Sequence, residues 1–143
     1  MTTRYKAAFA CYLLTTIVLA AFGVRYFFAT ELMPYHAAAL GQSLSAMSPN
    51  QQITFITLYR AIGAGMLSTA LAFAFLLFIP FRRGDAWSRW AMTAVGLSFA
   101  GLTIFLTLSF KSATGTAPPW PAAVATSVLI LIAHALASGK AKV

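Results

Sequence analysis

Four long runs of apolar residues divide the chain, and the polar residues concentrate in the short segments between them. Each run can cross a hydrocarbon layer, which is about 30 Å thick and takes about 20 helical residues. A spanning segment must satisfy its backbone polar groups internally, so runs of this length predict helices. The pattern predicts an all-α, integral membrane four-helix bundle, a single transmembrane domain over residues 1–143 with spans at about 7–29, 53–81, 86–110 and 121–138.

The first run also has the basic start and apolar core of a signal peptide. Its uncharged stretch continues from Ala7 to Val24, which is longer than the core of about 7–15 residues in a signal peptide. We therefore expect this run to be retained as the first spanning helix.

Composition agrees with a lipid environment, because 60% of the residues are hydrophobic and 8% are charged, against about a quarter in soluble domains. The net charge of +8 does not predict nucleic-acid binding, since the basic residues flank the apolar runs and form no patch interleaved with exposed aromatic residues. Membrane lipids with anionic headgroups are the expected partners. The single cysteine, Cys11, lies within an apolar run and is expected to be a packing residue.

The basic residues are distributed unequally between the two sides of the predicted bundle. Three lie on one side, Arg25, Arg60 and Lys111, and the other seven lie on the side of the termini and of the turn at 82–89. The positive-inside rule therefore predicts that both termini are cytoplasmic.

The connection at residues 30–52 is longer than a tight turn. Pro34 suits the first turn of a helix, and Leu40, Leu44 and Met47 recur at spacings of four and three residues. These features predict a short interfacial helix on the outer membrane surface. Ser48, directly before a proline, predicts the N-cap of the second spanning helix.

Charged residues are predicted to lie together at the outer boundary of the membrane. Counting helical residues places Arg25, Glu31 and Arg60 at similar depth, and four further residues fall around them: Tyr26, Tyr35, His36 and Tyr59. Charges near hydrocarbon are costly unless they are paired. A structural ion pair of Glu31 with one arginine and a ligand site for an anionic headgroup, a carboxylate or a quinone oxygen are both open readings. The candidate ligand-binding set consists of five of these residues: Arg25, Glu31, His36, Tyr59 and Arg60.

The sequence contains no catalytic or metal-binding signature. His36 and His134 are predicted at opposite ends of the bundle, so one chain cannot bring both to one haem. Only Glu31 and Asp85 are acidic, and they are expected on opposite sides of the membrane, which argues against a Ser-His-Asp arrangement. We therefore predict no catalytic residue, no metal site and no cofactor.

Small residues recur on the second and third spans at spacings that allow helices to approach closely. Ala61, Gly65 and Thr69 follow a small-xxx-small pattern, and Gly96 lies on the third span. These four residues are predicted to be helix-packing positions, either within the chain or on a homodimer face.

Two segments, LYRAIGAG at the start of the second span and the GTAPPW turn before the fourth, resemble small bacterial DoxX-like four-helix membrane proteins. The resemblance covers the layout of the spans and an arginine followed by glycines. Some members of that group are implied to be subunits or accessories of quinone-linked oxidoreductases, and many have no assigned role; the resemblance also implies a bacterial inner membrane as the location.

Three functions are compatible with the sequence. The scarcity of reactive side chains favours a non-catalytic inner-membrane component, such as a subunit, accessory or assembly protein with a protein partner or a second copy. The alternative is a protein or enzyme that binds a lipid-like or quinone-like molecule at a polar site on the outer face. A small dimeric transporter is less favoured, because no acidic residue lies near the middle of a span.

Overall fold

A computed structural model describes residues 2–138, and over this range the chain is helical apart from short connections. Four of its helices are long and apolar enough to cross a membrane. The helices are α1 (Thr3–Phe27), α2 (Pro34–Leu40), α3 (Pro49–Leu76, continued by a π-helical segment Leu77–Phe81), α4 (Ala86–Thr114) and α5 (Trp120–Ala137). The prediction of an all-α chain with four helices long and apolar enough to span a membrane is confirmed over these residues. Lys140 and Lys142, two of the seven basic residues assigned to the cytoplasm, lie outside the described residues.

Local capping chemistry sets where the helices begin and end. Ser48 caps α3 as predicted: its backbone N–H donates to Gln51 Oε1 at 3.0 Å, and its Oγ accepts from the Gln51 backbone N–H at 3.5 Å. Thr2 Oγ1 caps α1 through the N–H of Tyr5 at 3.3 Å, so this helix starts before the apolar run. Helix α4 ends at Gly115, whose φ of 71° is the left-handed conformation that glycine adopts most easily.

The helix in the connection between α1 and α3 is shorter than predicted. Helix α2 has seven residues and ends at Gly41, which has a φ of 66°. Leu44 begins a separate 3₁₀ turn, Leu44–Ala46, and Met47 is buried in extended backbone after it. The predicted continuous face through Leu40, Leu44 and Met47 therefore does not form, because the left-handed glycine ends the helix.

The spanning helices are arranged in a ring in which α1 packs against both α3 and α5, and α4 packs against α5. At one end, which we call the turn end, Tyr5 O–H donates to the carbonyl of Phe81 at 2.5 Å, and Arg89 Nη1 donates to the carbonyl of Ala137 at 2.8 Å. These bonds bring together the start of α1, the α3–α4 turn and the end of α5. The opposite end carries α2, and we call it the α2 end.

Helices α3 and α4 are in contact mainly near the turn end. Gly96 on α4 lies against Phe73 of α3 and Ile130 of α5, and a Cβ added at Gly96 would lie 2.9 Å from the Phe73 ring. At the turn end the π-helical segment also touches α4, whereas the rest of α3 shares few contacts with α4. The two helices therefore diverge toward the α2 end, and a cavity lies between them there.

Candidate functional site

A cavity of about 100 Å³ occupies the half of the bundle nearer the α2 end, where α3 and α4 diverge. All four spanning helices contribute to its wall, and it is partly open. The lining residues are apolar, or carry neutral hydroxyl groups: Thr15, Val18, Leu19, Phe22, Tyr26, Tyr35, Met66, Thr69, Phe73, Gly96, Phe99, Ala100, Thr103, Thr107, Pro119, Ala122, Ala123, Thr126 and Ile130. A wall with this composition suits an apolar molecule.

Most threonine hydroxyls in the cavity wall are satisfied by their own helices. Thr69, Thr103 and Thr126 each donate to the backbone carbonyl four residues earlier at 2.8 Å. Thr15 differs, since it is only 2% exposed and its Oγ1 has no hydrogen-bond partner among residues 2–138. The wall therefore presents neutral polar groups, and one hydroxyl lies deep in the bundle without a partner.

Five aromatic residues, Tyr26, Tyr35, His36, Tyr59 and Phe110, form what we call the aromatic cover at the α2 end. The hydroxyls of Tyr26 and Tyr35 are hydrogen-bonded to each other. The rings of Tyr35 and His36, both on α2, meet Phe110 of α4 edge-on, with centroids 5.9 Å and 5.2 Å away. Helix α2 therefore reaches α4 across the end of the cavity.

The other side of the aromatic cover is attached to α3. Tyr59 is 3% exposed, its hydroxyl accepts a hydrogen bond from the backbone N–H of Met33 at 3.2 Å, and the same oxygen lies 2.5 Å from His36 Nδ1. The rings of His36 and Tyr59 are stacked at 5.5 Å. Helix α2 thus connects α3 and α4 at the point where these helices stand apart.

Burial keeps the two titratable side chains of α2 uncharged. It raises the pKa of Tyr35, and the hydrogen bond with Tyr26 raises the pKa further. Burial lowers the pKa of His36. At neutral pH the aromatic cover therefore carries a phenol that keeps its proton and a neutral imidazole.

The structure brings together two of the five residues predicted to bind a ligand, His36 and Tyr59. Arg25, Glu31 and Arg60 are exposed, and no ion pair joins the glutamate to either arginine within the described part of the chain. None of these three charged side chains lines the cavity. The polar side chains of the cavity wall at the α2 end are the phenols of Tyr26 and Tyr35, whereas His36 and Tyr59 belong to the aromatic cover without lining the cavity.

The small residues predicted to pack helices occupy different environments. Ala61 and Gly65 are exposed, and a Cβ added at Gly65 would meet nothing within 4 Å. Thr69 lines the cavity, and Gly96 packs against α3 and α5. The close approach of α3 to α1 occurs at Gly63, where an added Cβ would lie 2.8 Å from the carbonyl oxygen of Gly23.

A second cluster of polar side chains lies at the turn end. Thr93 Oγ1 is 2.9 Å from the buried hydroxyl of Tyr12 and 2.8 Å from His134 Nδ1, and the His134 ring meets Trp90 edge-on at 4.5 Å. These contacts connect α1, α4 and α5. His134 is therefore a hydrogen-bonded residue between helices and lies far from His36. Among residues 2–138, no three His, Cys, Asp or Glu side chains are grouped as metal ligands would be.

The sequence placed Tyr26 and Tyr35 near the predicted outer boundary but did not predict the hydrogen bond between their hydroxyls, the cavity or the contribution of Phe110. One signal was present in α4, where Thr103 and Thr107 are four residues apart on a single face of an otherwise apolar helix. Both residues line the cavity.

Comparison of the chain with family models, with curated proteins and with solved structures found no match. The resemblance to DoxX-like proteins therefore stays a prediction.

Proposed function

We propose that this protein binds a lipid-like or quinone-like molecule in the cavity between α3 and α4. The observation that carries the proposal is an apolar, partly open cavity to which all four spanning helices contribute. Its volume of about 100 Å³ is near that of an engineered apolar cavity of about 150 Å³ that binds benzene. It would therefore enclose a small ring or part of a chain, with the rest of the ligand lying in the opening.

The ligand would reach the cavity from the bilayer. Helices α3 and α4 share few contacts beyond the turn end, so their divergence leaves a lateral gap. In a membrane, such a gap faces lipid tails, and an apolar molecule can pass through it without crossing water. At the α2 end the aromatic cover lies across the cavity, which separates the ligand from the aqueous side.

We propose further that the α2 end is at the outer face of a bacterial inner membrane and the turn end is cytoplasmic. The seven-to-three distribution of basic residues supports this orientation. Trp87 and Trp90 are exposed at the turn end, and Lys111 lies 5.4 Å from the Trp120 ring at the α2 end, as expected for interfacial aromatic residues. In this orientation α2 is an interfacial helix on the outer surface.

The proposed role is binding without chemical conversion of the ligand. The lining side chains include no acid, no base and no thiol. Such a role is compatible with a non-catalytic component of a larger membrane complex, in which this chain would hold a lipid or quinone for a protein partner.

A pair of alanine substitutions on α5 tests the proposal. Ala122 lines the cavity, whereas Ala125 is exposed on the same helix and lines nothing. We expect Ala122→Leu to fill part of the cavity and to lower the amount of lipid or quinone that co-purifies with the protein at fixed detergent concentration, measured by mass spectrometry. Ala125→Leu should leave that amount unchanged. Equal occupancy in both variants, or no bound molecule in the wild type, would contradict the proposal.

A further inference from the structure

We propose that the ligand is an uncharged amphiphile, and that a carbonyl or ether oxygen of the ligand accepts a hydrogen bond from the paired hydroxyls of Tyr26 and Tyr35. This inference rests on the proposed function and specifies the ligand class for the same cavity. It places the polar group of the ligand under α2 and the apolar part deeper in the bundle.

A count of protons at the hydroxyl pair supports the inference. Two phenols bring two O–H donors, and the bond between them uses one. Neither hydroxyl has a second partner among residues 2–138, and both residues line the cavity. One O–H at the α2 end of the cavity is therefore left to donate. An unmade hydrogen bond of a buried donor is costly, so a ligand acceptor here would be stabilising.

The other polar groups of the aromatic cover are already engaged. Tyr59 accepts from the Met33 N–H and shares a hydrogen bond with His36 Nδ1. The threonines of the wall donate to their own helices, apart from Thr15. Thr15 lies 11 residues before Tyr26 on α1, which corresponds to about 16 Å along the helix axis. The cavity wall therefore extends well below the hydroxyl pair, as a chain attached to a polar head requires.

The charge of the surroundings selects an uncharged ligand. Among residues 2–138 no charged side chain lines the cavity, and Arg25 and Arg60 are exposed outside it. A buried anion without a cationic partner would carry a large desolvation cost. The raised pKa of Tyr35 means that its hydroxyl keeps its proton and remains a donor at neutral pH.

The test measures equilibrium binding of three tritiated probes to the full chain in nanodiscs, corrected for partition into empty discs. Methyl laurate is an uncharged ester, laurate is its anionic counterpart and dodecane has no acceptor. We expect wild type to bind methyl laurate roughly tenfold more tightly than dodecane, the size expected when one buried hydrogen bond is made. It should also bind methyl laurate more tightly than laurate, because the carboxylate would be buried without a cationic partner.

The variants isolate the hydroxyl pair. Tyr26→Phe together with Tyr35→Phe removes both donors, and should weaken methyl laurate binding about tenfold while dodecane binding stays unchanged. Each single variant leaves one phenol with a free proton, so each should stay close to wild type. Tyr12→Phe is the matched control, because Tyr12 is buried at the turn end against Thr93 and lines no part of the cavity.

The outcomes separate this inference from the proposed function. Unchanged methyl laurate affinity in the double variant, or tighter binding of laurate than of methyl laurate by wild type, would overturn the inference and leave the binding function standing. Retained dodecane binding shows that the double variant is folded around its cavity. If wild type binds none of the three probes saturably, the proposed function itself is wrong.

Discussion

Two glycines of α3, two residues apart, should respond in opposite ways to the same substitution. An ideal Cβ at Gly63 would lie 2.7 Å from Phe27 Cα and 2.8 Å from the Gly23 carbonyl oxygen. These are backbone atoms of α1, which cannot move aside by a rotamer change. At Gly65 the same Cβ would meet nothing within 4 Å. We therefore expect Gly63→Ala to destabilise the bundle and Gly65→Ala to be tolerated.

The size of the effect follows from the distances. The nearest atom of α1, the Phe27 backbone nitrogen, would lie 2.4 Å from the added Cβ, and ordinary van der Waals contact begins at 3.4 Å, so α1 and α3 would have to separate by about 1 Å to admit the Gly63→Ala methyl group. Overpacking of this kind costs about 1–3 kcal/mol. Gly65→Ala should be neutral or stabilising by up to about 1 kcal/mol, because alanine has the higher helix propensity.

The measurement is the free energy of unfolding in mixed micelles, obtained by titrating a denaturing detergent and following tryptophan fluorescence. The two variants should differ by roughly 1–4 kcal/mol, which combines the overpacking cost at one site with the propensity gain at the other. Equal stability of the two variants would show that α3 does not approach α1 at Gly63. Greater destabilisation by Gly65→Ala would show that the opposite face of α3 is packed.

Two further predictions concern pH and orientation. Burial lowers the pKa of His36, so the unfolded chain binds more protons than the folded one, and stability that is fully present above pH 6.5 should fall as the pH drops below that value. His36→Gln should reduce this pH dependence in the same unfolding assay. In a background without the native cysteine, Ser43→Cys should react with a membrane-impermeant maleimide in spheroplasts, and Arg83→Cys should react only after lysis.

Each of these predictions has an outcome that would contradict it. The same loss of stability at low pH with and without His36 would mean that its imidazole is solvated and that α2 does not bury it. Labelling of position 83 in intact spheroplasts would reverse the proposed orientation. Both 43 and 83 are exposed in the structure, so a failure to react cannot be attributed to burial.

The features that the sequence predicted well are those that depend on neighbouring residues. Span length and hydropathy located α1, α3, α4 and α5, and Ser48 with Pro49 marked the start of α3. The GTAPPW turn begins at Gly115, which adopts the left-handed conformation that ends α4. Capping and turn chemistry act over a few residues, so one sequence carries enough information to find them.

The candidate site required information that depends on how helices are rotated about their axes. Counting residues placed Arg25, Glu31 and Arg60 at similar depth, but depth does not say which way each side chain points. In the structure all three are exposed, while Tyr59, directly before Arg60, is buried. Gly63 and Gly65 differ for the same reason, since two residues on an α-helix point about 200° apart. The cavity itself depends on the divergence of two helices, which no local pattern encodes.

The π-helical segment Leu77–Phe81 gives α3 a change of phase that a uniform helix could not have. Pro80 has no N–H to donate, and the wider turn accommodates its ring while the Tyr5 hydroxyl bonds to the Phe81 carbonyl. A π-turn takes about one residue more than an α-turn, so residues beyond it are rotated by roughly 100° relative to an uninterrupted helix. The direction in which α3 side chains face the cavity is therefore offset from the direction in which the residues at the turn end face their partners. A substitution in one of these two sets of residues does not have to reorient the other.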